Sequence, residues 1–213
     1  MIQEVGTMNT AEVGTAWTQR LRYVLMLALL LVSGMATAVD PRVAQDSRQA
    51  FKSFAMPLIG SWDCNLRTWD DRFHEKMVET VQKRRFEWVL KGNFLQESIY
   101  AVLRGGDTVH VGLNLLSVDP ETTHILSSGF DANAPDRSLT VDAELAPDLR
   151  HLSGKVQMAQ KSDSVQPERL DWQWIDEGRI RSRLYSRASN GREFLNKELI
   201  CKRSADSAAM AEQ

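Results

Sequence analysis

Between Ile59 and Arg203 apolar residues recur with a period of two, in short runs separated by Gly, Pro, Asn and Asp. Successive side chains of a strand point to opposite faces, so this alternation predicts half-buried β-strands. Gly60, Trp62, Cys64 and Leu66 share one face of the first run, and Phe86, Trp88 and Leu90 alternate with Arg85, Glu87 and Val89 in the second. The runs predict nine or ten strands, over 59–68, 77–90, 94–103, 108–118, 124–130, 139–145, 152–158, 170–175, 180–187 and 194–203. Lys91-Gly92-Asn93, Arg104-Gly105-Gly106-Asp107, Asp119-Pro120-Glu121, Asp176-Glu177-Gly178 and Ser189-Asn190-Gly191 supply turn chemistry between them. Asp131 to Arg137 and Gln160 to Glu168 read as polar loops, as plain connectors or as the border of a cavity mouth. Strands this short and evenly spaced imply an all-β fold, a single antiparallel up-and-down barrel over 58–203 followed by a disordered tail over 204–213.

Upstream of Pro57 the period changes. Val43, Ala44, Ser47, Ala50, Phe51 and Phe54 fall at helical spacing, which predicts a short amphipathic helix within an N-terminal segment over 39–57. Further upstream, the uncharged run from Tyr23 to Val32 follows Arg20 and Arg22 and precedes Ala36-Thr37-Ala38. A membrane span needs about 20 apolar residues, whereas a signal peptide needs about 7 to 15 and then small residues at its cleavage site. Residues 1–38 therefore read as a signal peptide, and the mature chain as periplasmic or secreted, with no stable membrane insertion after cleavage.

Composition adds little to this picture except exclusions. A chain of 213 residues with 43% hydrophobic and 25% charged residues has the balance of an ordinary globular domain. The net charge of −2 supplies no field to gather nucleic acid. Four histidines, His74, His110, His124 and His151, lack metal-ligand spacing, so neither a metal nor a cofactor is expected. His110 alternates with Val109, Val111, Leu113 and Leu115, which suggests that the aliphatic face is buried and His110 turned outward. No nucleophile elbow, phosphate loop or dinucleotide fingerprint occurs, so the sequence offers no recognisable catalytic motif.

The two cysteines carry more. In an oxidising compartment two thiols in one small domain usually join. Cys64 lies in the first predicted strand and Cys201 in the last, and closure of an up-and-down barrel makes those strands neighbours. A disulfide there would close a long loop and contribute on the order of 4 kcal/mol.

Candidate ligand-binding residues follow from faces. Arg85 and Glu97 flank the Gly92 turn; inside a barrel they would orient a ligand, and outside they would form a weak surface pair. Trp172 and Trp174 share a face with Leu170, and Arg183 and Tyr185 share a face of the following strand. Turned inward, these would give aromatic walls with polar groups suited to an amphipathic ligand; otherwise the tryptophans are core and the arginine is solvated. Trp62 and Trp88 complete the candidate set.

Leu58-Ile-Gly60-Ser-Trp62 after a short helix resembles the opening of lipocalin-like barrels, whose Gly-x-Trp tryptophan closes one end. Arg85-Phe-Glu-Trp88-Val-Leu-Lys-Gly92-Asn-Phe94-Leu-Gln-Glu97 is similar to a segment of a bacterial family of lipocalin-like (calycin-type) domains of unknown function. Gly112, Asp119-Pro120-Glu121-Thr122 and the stretch from Gly191 to Arg203 also fit. The resemblance covers most of 56–203 and implies a closed meander barrel, with no activity to carry over. Related haem-binding barrels use a histidine on a late strand, and no histidine follows His151, which disfavours haem. The expected function is binding of a small apolar or amphipathic molecule. Alternatives are an isomerase or lyase using Arg85, Glu97 or Tyr185, and a filled barrel acting as an interaction or dimerisation module.

Overall fold

The computed structural model describes residues 41–69, 76–132, 134–158, 167–188 and 190–205. The expected signal peptide lies outside the described residues, as does the tail from 206 onward.

Helix α1 spans Pro41–Ala55 and passes into a 3-10 turn, Met56–Leu58. Ten strands follow, β1 Gly60–Trp69, β2 Met77–Val89, β3 Phe94–Val102, β4 Thr108–Val118, β5 Ile125–Asp131, β6 Ala134–Leu145, β7 His151–Met158, β8 Pro167–Asp176, β9 Arg179–Arg187 and β10 Glu193–Arg203. Each pairs antiparallel with its neighbour in sequence, and β1 pairs with β10, so the sheet closes into a barrel without edges. Closure is the physical solution to the exposed backbone groups that an open sheet would present. At the seam Cys64 stands directly opposite Cys201, with the sulfurs 2.04 Å apart at bonding distance. Both cysteines are buried.

Two expectations are corrected. Asp131 to Arg137 is not a loop: β6 starts at Ala134 and Asp131 pairs with it, which leaves only a tight turn between the strands. The buried face of β4 is also not the one the valines and leucines suggest. The register with β3 slips between Ile99 and Tyr100, which pair with Gly112 and His110 and leave Val111 as the extra residue of a bulge. A bulge reverses the parity of the strand beyond it. Gly112, Asn114 and Leu116 therefore face the interior, and Leu113 and Leu115 stand on the outer surface.

The inner faces of the other strands follow the alternation. Trp62, Cys64 and Leu66 on β1, Phe86 on β2, Leu152 and Val156 on β7, and Leu199 and Cys201 on β10 belong to one core with Phe51, Phe54 and Leu58 from the N-terminal segment. α1 seals one end of the barrel. Phe51 packs edge-on to Trp88 at 5.7 Å between centroids, and Phe54 packs likewise on Trp172 at 5.0 Å. The Trp62 indole N–H donates to the Leu58 carbonyl at 2.7 Å, locking the 3-10 turn to β1. Arg203 closes the same corner: its guanidinium lies 4.6 Å from the Trp62 ring centroid and donates to the Ile59 carbonyl at 3.0 Å and to the Pro57 carbonyl.

β6 and β7 approach closely where Gly154 faces Ala143. A Cβ on Gly154 would come within 2.2 Å of the Asp142 carbonyl oxygen and 2.4 Å of the Ala143 Cα. Backbone cannot rotate out of the way as a side chain can, so Gly154→Ala is expected to destabilise the fold by about 2 kcal/mol, measurable as a lower urea midpoint. An unchanged midpoint would contradict this packing.

Candidate functional site

Inside the closed sheet lies a cavity of about 1050 Å³. Its floor is at the α1 end, formed by Phe54 and Leu58 with Leu152, Trp172, Ile180 and Leu199. The other end reaches solvent, because Val81 and Phe130 line the cavity and are 52% and 49% exposed. The β3–β4 and β9–β10 connections leave the barrel at this open end.

A polar cluster is set into one wall. Arg84 on β2 donates to one oxygen of Glu97 on β3, and the Asn114 amide on β4 donates to the other. Arg84 also donates to Gln82 at 3.2 Å, while its Nε is buried with no acceptor. Strand register brings the three together: Phe86 opposes Glu97 and Glu97 opposes Asn114, all on the inner face, with Arg84 two residues along that face. Asn114 in turn has room because its cross-strand partner is Gly129, where a Cβ would fall 2.3 Å from the Asn114 side-chain oxygen.

Lys197 on β10 also lines the cavity. Lys197 keeps the phase of Leu199 and Cys201 and so faces inward beside Leu184 and opposite Thr68 of β1, the register with β9 shifting only before it, between Leu195 and Lys197. Burial lowers its pKa from the ordinary 10.5, Asp131 opposes that shift, and the Arg84 charge adds to it. The unfolded chain therefore holds this proton more tightly than the folded protein does. Folding is penalised below the lowered pKa, and the penalty is relieved as pH rises from there to about 10.5.

Of the residues singled out in the sequence, Glu97 and Trp172 line the cavity. Trp62, Trp88 and Trp174 lie beneath it, at the α1 end. Trp174 packs on Trp172 at 5.5 Å and on Trp62 at 5.8 Å between centroids. Arg85, Arg183 and Tyr185 do not face the cavity. Arg85 pairs with Glu87 at 3.2 Å on the outer surface, because its neighbours Arg84 and Phe86 hold the inward positions. Arg183 donates to Glu198 at 2.9 Å, and Tyr185 lies under the Arg169 guanidinium at 3.9 Å. Between them Ser182 and Leu184 turn inward, so the inner face of β9 is the less conspicuous one.

The outer arginines belong to a ladder of alternating charge. Glu79, Arg67, Glu198, Arg183 and Asp171 are successive cross-strand partners from β2 through β1, β10 and β9 to β8. His151 on β7 ends it, 2.9 Å from Asp171. The pairs at the two ends of the ladder are partly exposed and contribute little individually, whereas Glu198 at its centre is buried between Arg67 and Arg183. The polar cavity residues that the sequence reading passed over are Arg84, Asn114 and Lys197. Counting back in twos from Trp88 reaches Arg84, and from Cys201 reaches Lys197.

No family model matches the sequence, and no curated protein matches it. Among solved structures, Rv2717c from M. tuberculosis is similar, with a TM-score of 0.52 and 16% identity over 73% of this chain and 97% of that chain. What the two chains share is a fold. It is the lipocalin-like closed barrel that the sequence resemblance implies. The siderocalin Ex-FABP aligns over 72% of this chain and 81% of its own at 13% identity and a TM-score of 0.30. Lobster apocrustacyanin A1 aligns over 84% and 77% at 11% identity and a TM-score of 0.34. Among the described residues no helix is long and apolar enough to cross a membrane.

Proposed function

We propose that this protein is an exported barrel that binds a small apolar or amphipathic molecule in its interior. The cavity of about 1050 Å³ carries the reading. Pockets that bury small ligands are typically about 300 to 1000 Å³, mostly apolar, with a few placed polar groups. This one has an aromatic and aliphatic floor and a single hydrogen-bonded polar cluster. A barrel acting only through its surface would be expected to fill that space with side chains.

The export half of the proposal draws on the apolar run at 23–32 and on the cysteine pair at bonding distance, which suits an oxidising compartment. N-terminal sequencing of the protein recovered outside the cytoplasm should begin at Val39. Recovery with residue 20 still attached would remove this half.

Catalysis by an isomerase or lyase is the second reading, favoured by the convergence of Arg84, Glu97 and Lys197 on one cavity. Against it, both Glu97 oxygens already accept hydrogen bonds, which suits holding a charge in place more than abstracting a proton. Binding is tested by native mass spectrometry of protein purified from its own compartment, where a co-purified mass released on denaturation is expected. Repeated purification without added mass, together with no uptake of an apolar fluorescent probe, would defeat the reading.

A further inference from the structure

The charged residues facing the cavity among the described residues are Arg84, Glu97, Asp131 and Lys197. Arg84 and Glu97 are bonded to each other and cancel. Asp131 sits exposed at the rim and acts on Lys197 only through space. The Lys197 ammonium has no hydrogen-bond or ion-pair partner among the described residues. A cation in a largely apolar cavity that only a distant carboxylate offsets is costly, and an anion brought into contact with it recovers that cost.

Its position sets the shape of the partner. Along β10 the inward residues below Lys197 are Leu199 and then Cys201 at the sealed end, so the charge stands roughly 13 Å from that end at about 3.3 Å per residue. The intervening wall is mostly apolar, lined by Leu66, Leu184, Ile180, Leu199, Trp172 and Leu152, with Ser182 beside Leu199. One positive charge with no bonded partner among the described residues, above a largely apolar well, matches one negative charge on an apolar body.

We infer that the occupant is an amphipathic monoanion, its apolar body on the Trp172 and Ile180 floor and its carboxylate at the Lys197 ammonium. This rests on the ligand-binding reading and narrows it. An uncharged apolar molecule of the same size fills the same well, strips water from Lys197 and returns no counter-charge, so the cavity discriminates against it.

Isothermal titration with dodecanoate, dodecan-1-ol and dodecyltrimethylammonium tests the inference on the mature protein. Dodecanoate is expected to bind about tenfold or more tighter than the alcohol, and the cation weakest. Lys197→Met should erase the preference by weakening the acid and tightening the alcohol, whose retained binding also reports that the variant is folded. Lys197→Arg should keep the preference, and Arg85→Met, altered on the outer wall, should change nothing. Dodecanoate affinity should also fall as pH rises through the Lys197 pKa, which burial holds below 10.5, and Lys197→Met should lack that dependence. Equal binding of acid and alcohol, or an acid preference that survives Lys197→Met, overturns the inference and leaves apolar binding standing. If the wild-type protein takes none of the three probes, the ligand-binding reading falls as well.

Discussion

Glu97→Ala is expected to lower folding stability by about 3 kcal/mol, because it leaves the Arg84 guanidinium in the barrel interior without its counter-charge. The Arg84 and Glu97 side chains are only 15% and 9% exposed, so solvent screens the pair weakly. Losing one partner of such a pair costs far more than losing both, since the survivor keeps its desolvation penalty. Arg84→Met combined with Glu97→Leu should therefore recover most of the loss seen in Glu97→Ala alone. Urea unfolding of Arg84→Met, Glu97→Leu and the double variant gives the coupling directly. Additive losses would mean that the two side chains do not act as a pair. The network also predicts an asymmetry: Asn114→Ala removes one donor but strands no charge, so it should cost less than Glu97→Ala.

Removing the Cys64–Cys201 bridge is expected to have a comparable effect, on the order of 4 kcal/mol, because the two cysteines are 137 residues apart in the chain and the cross-link restricts most of the unfolded barrel. Cys64→Ala with Cys201→Ala should show this as a large drop in the denaturant midpoint. Reduction of the native protein should be slow. The cysteines are 1% and 0% exposed, so a thiol reagent must wait for the β1–β10 seam to open. The rate of reduction should therefore rise steeply with added urea, in step with seam opening. Fast reduction in the absence of denaturant would contradict the buried seam, and an unchanged midpoint in the double variant would contradict the bridge.

Most of the barrel was legible in the sequence because strand alternation is a local property. From Gly60 to Leu66 and from Leu170 to Trp174 the inward set is also the apolar set, and the register on both sides keeps it so. The seam was legible for a different reason: in a meander that closes, the first and last strands have only each other to pair with. Legibility failed at bulges. The extra residue at Val111 exchanged Leu113 and Leu115 for Asn114 and Leu116 on the inner face. It failed also where the conspicuous face was the solvated one. Arg183 and Tyr185 carry more chemistry than Ser182 and Leu184, yet the outer wall holds them because Glu198 and Arg169 complement them there.

By itself the sequence determined a pattern of nine or ten strands, a helix before it, and a cysteine at each end of the sheet, because periodicity and turn residues act over a few positions. Only the tertiary structure decided which residues meet in the cavity. Glu97, Arg84, Asn114 and Lys197 come from four strands, and their convergence depends on register and bulges summed around the closed sheet. A slip of one residue in any strand would reverse its faces, and no local pattern in the chain records that sum.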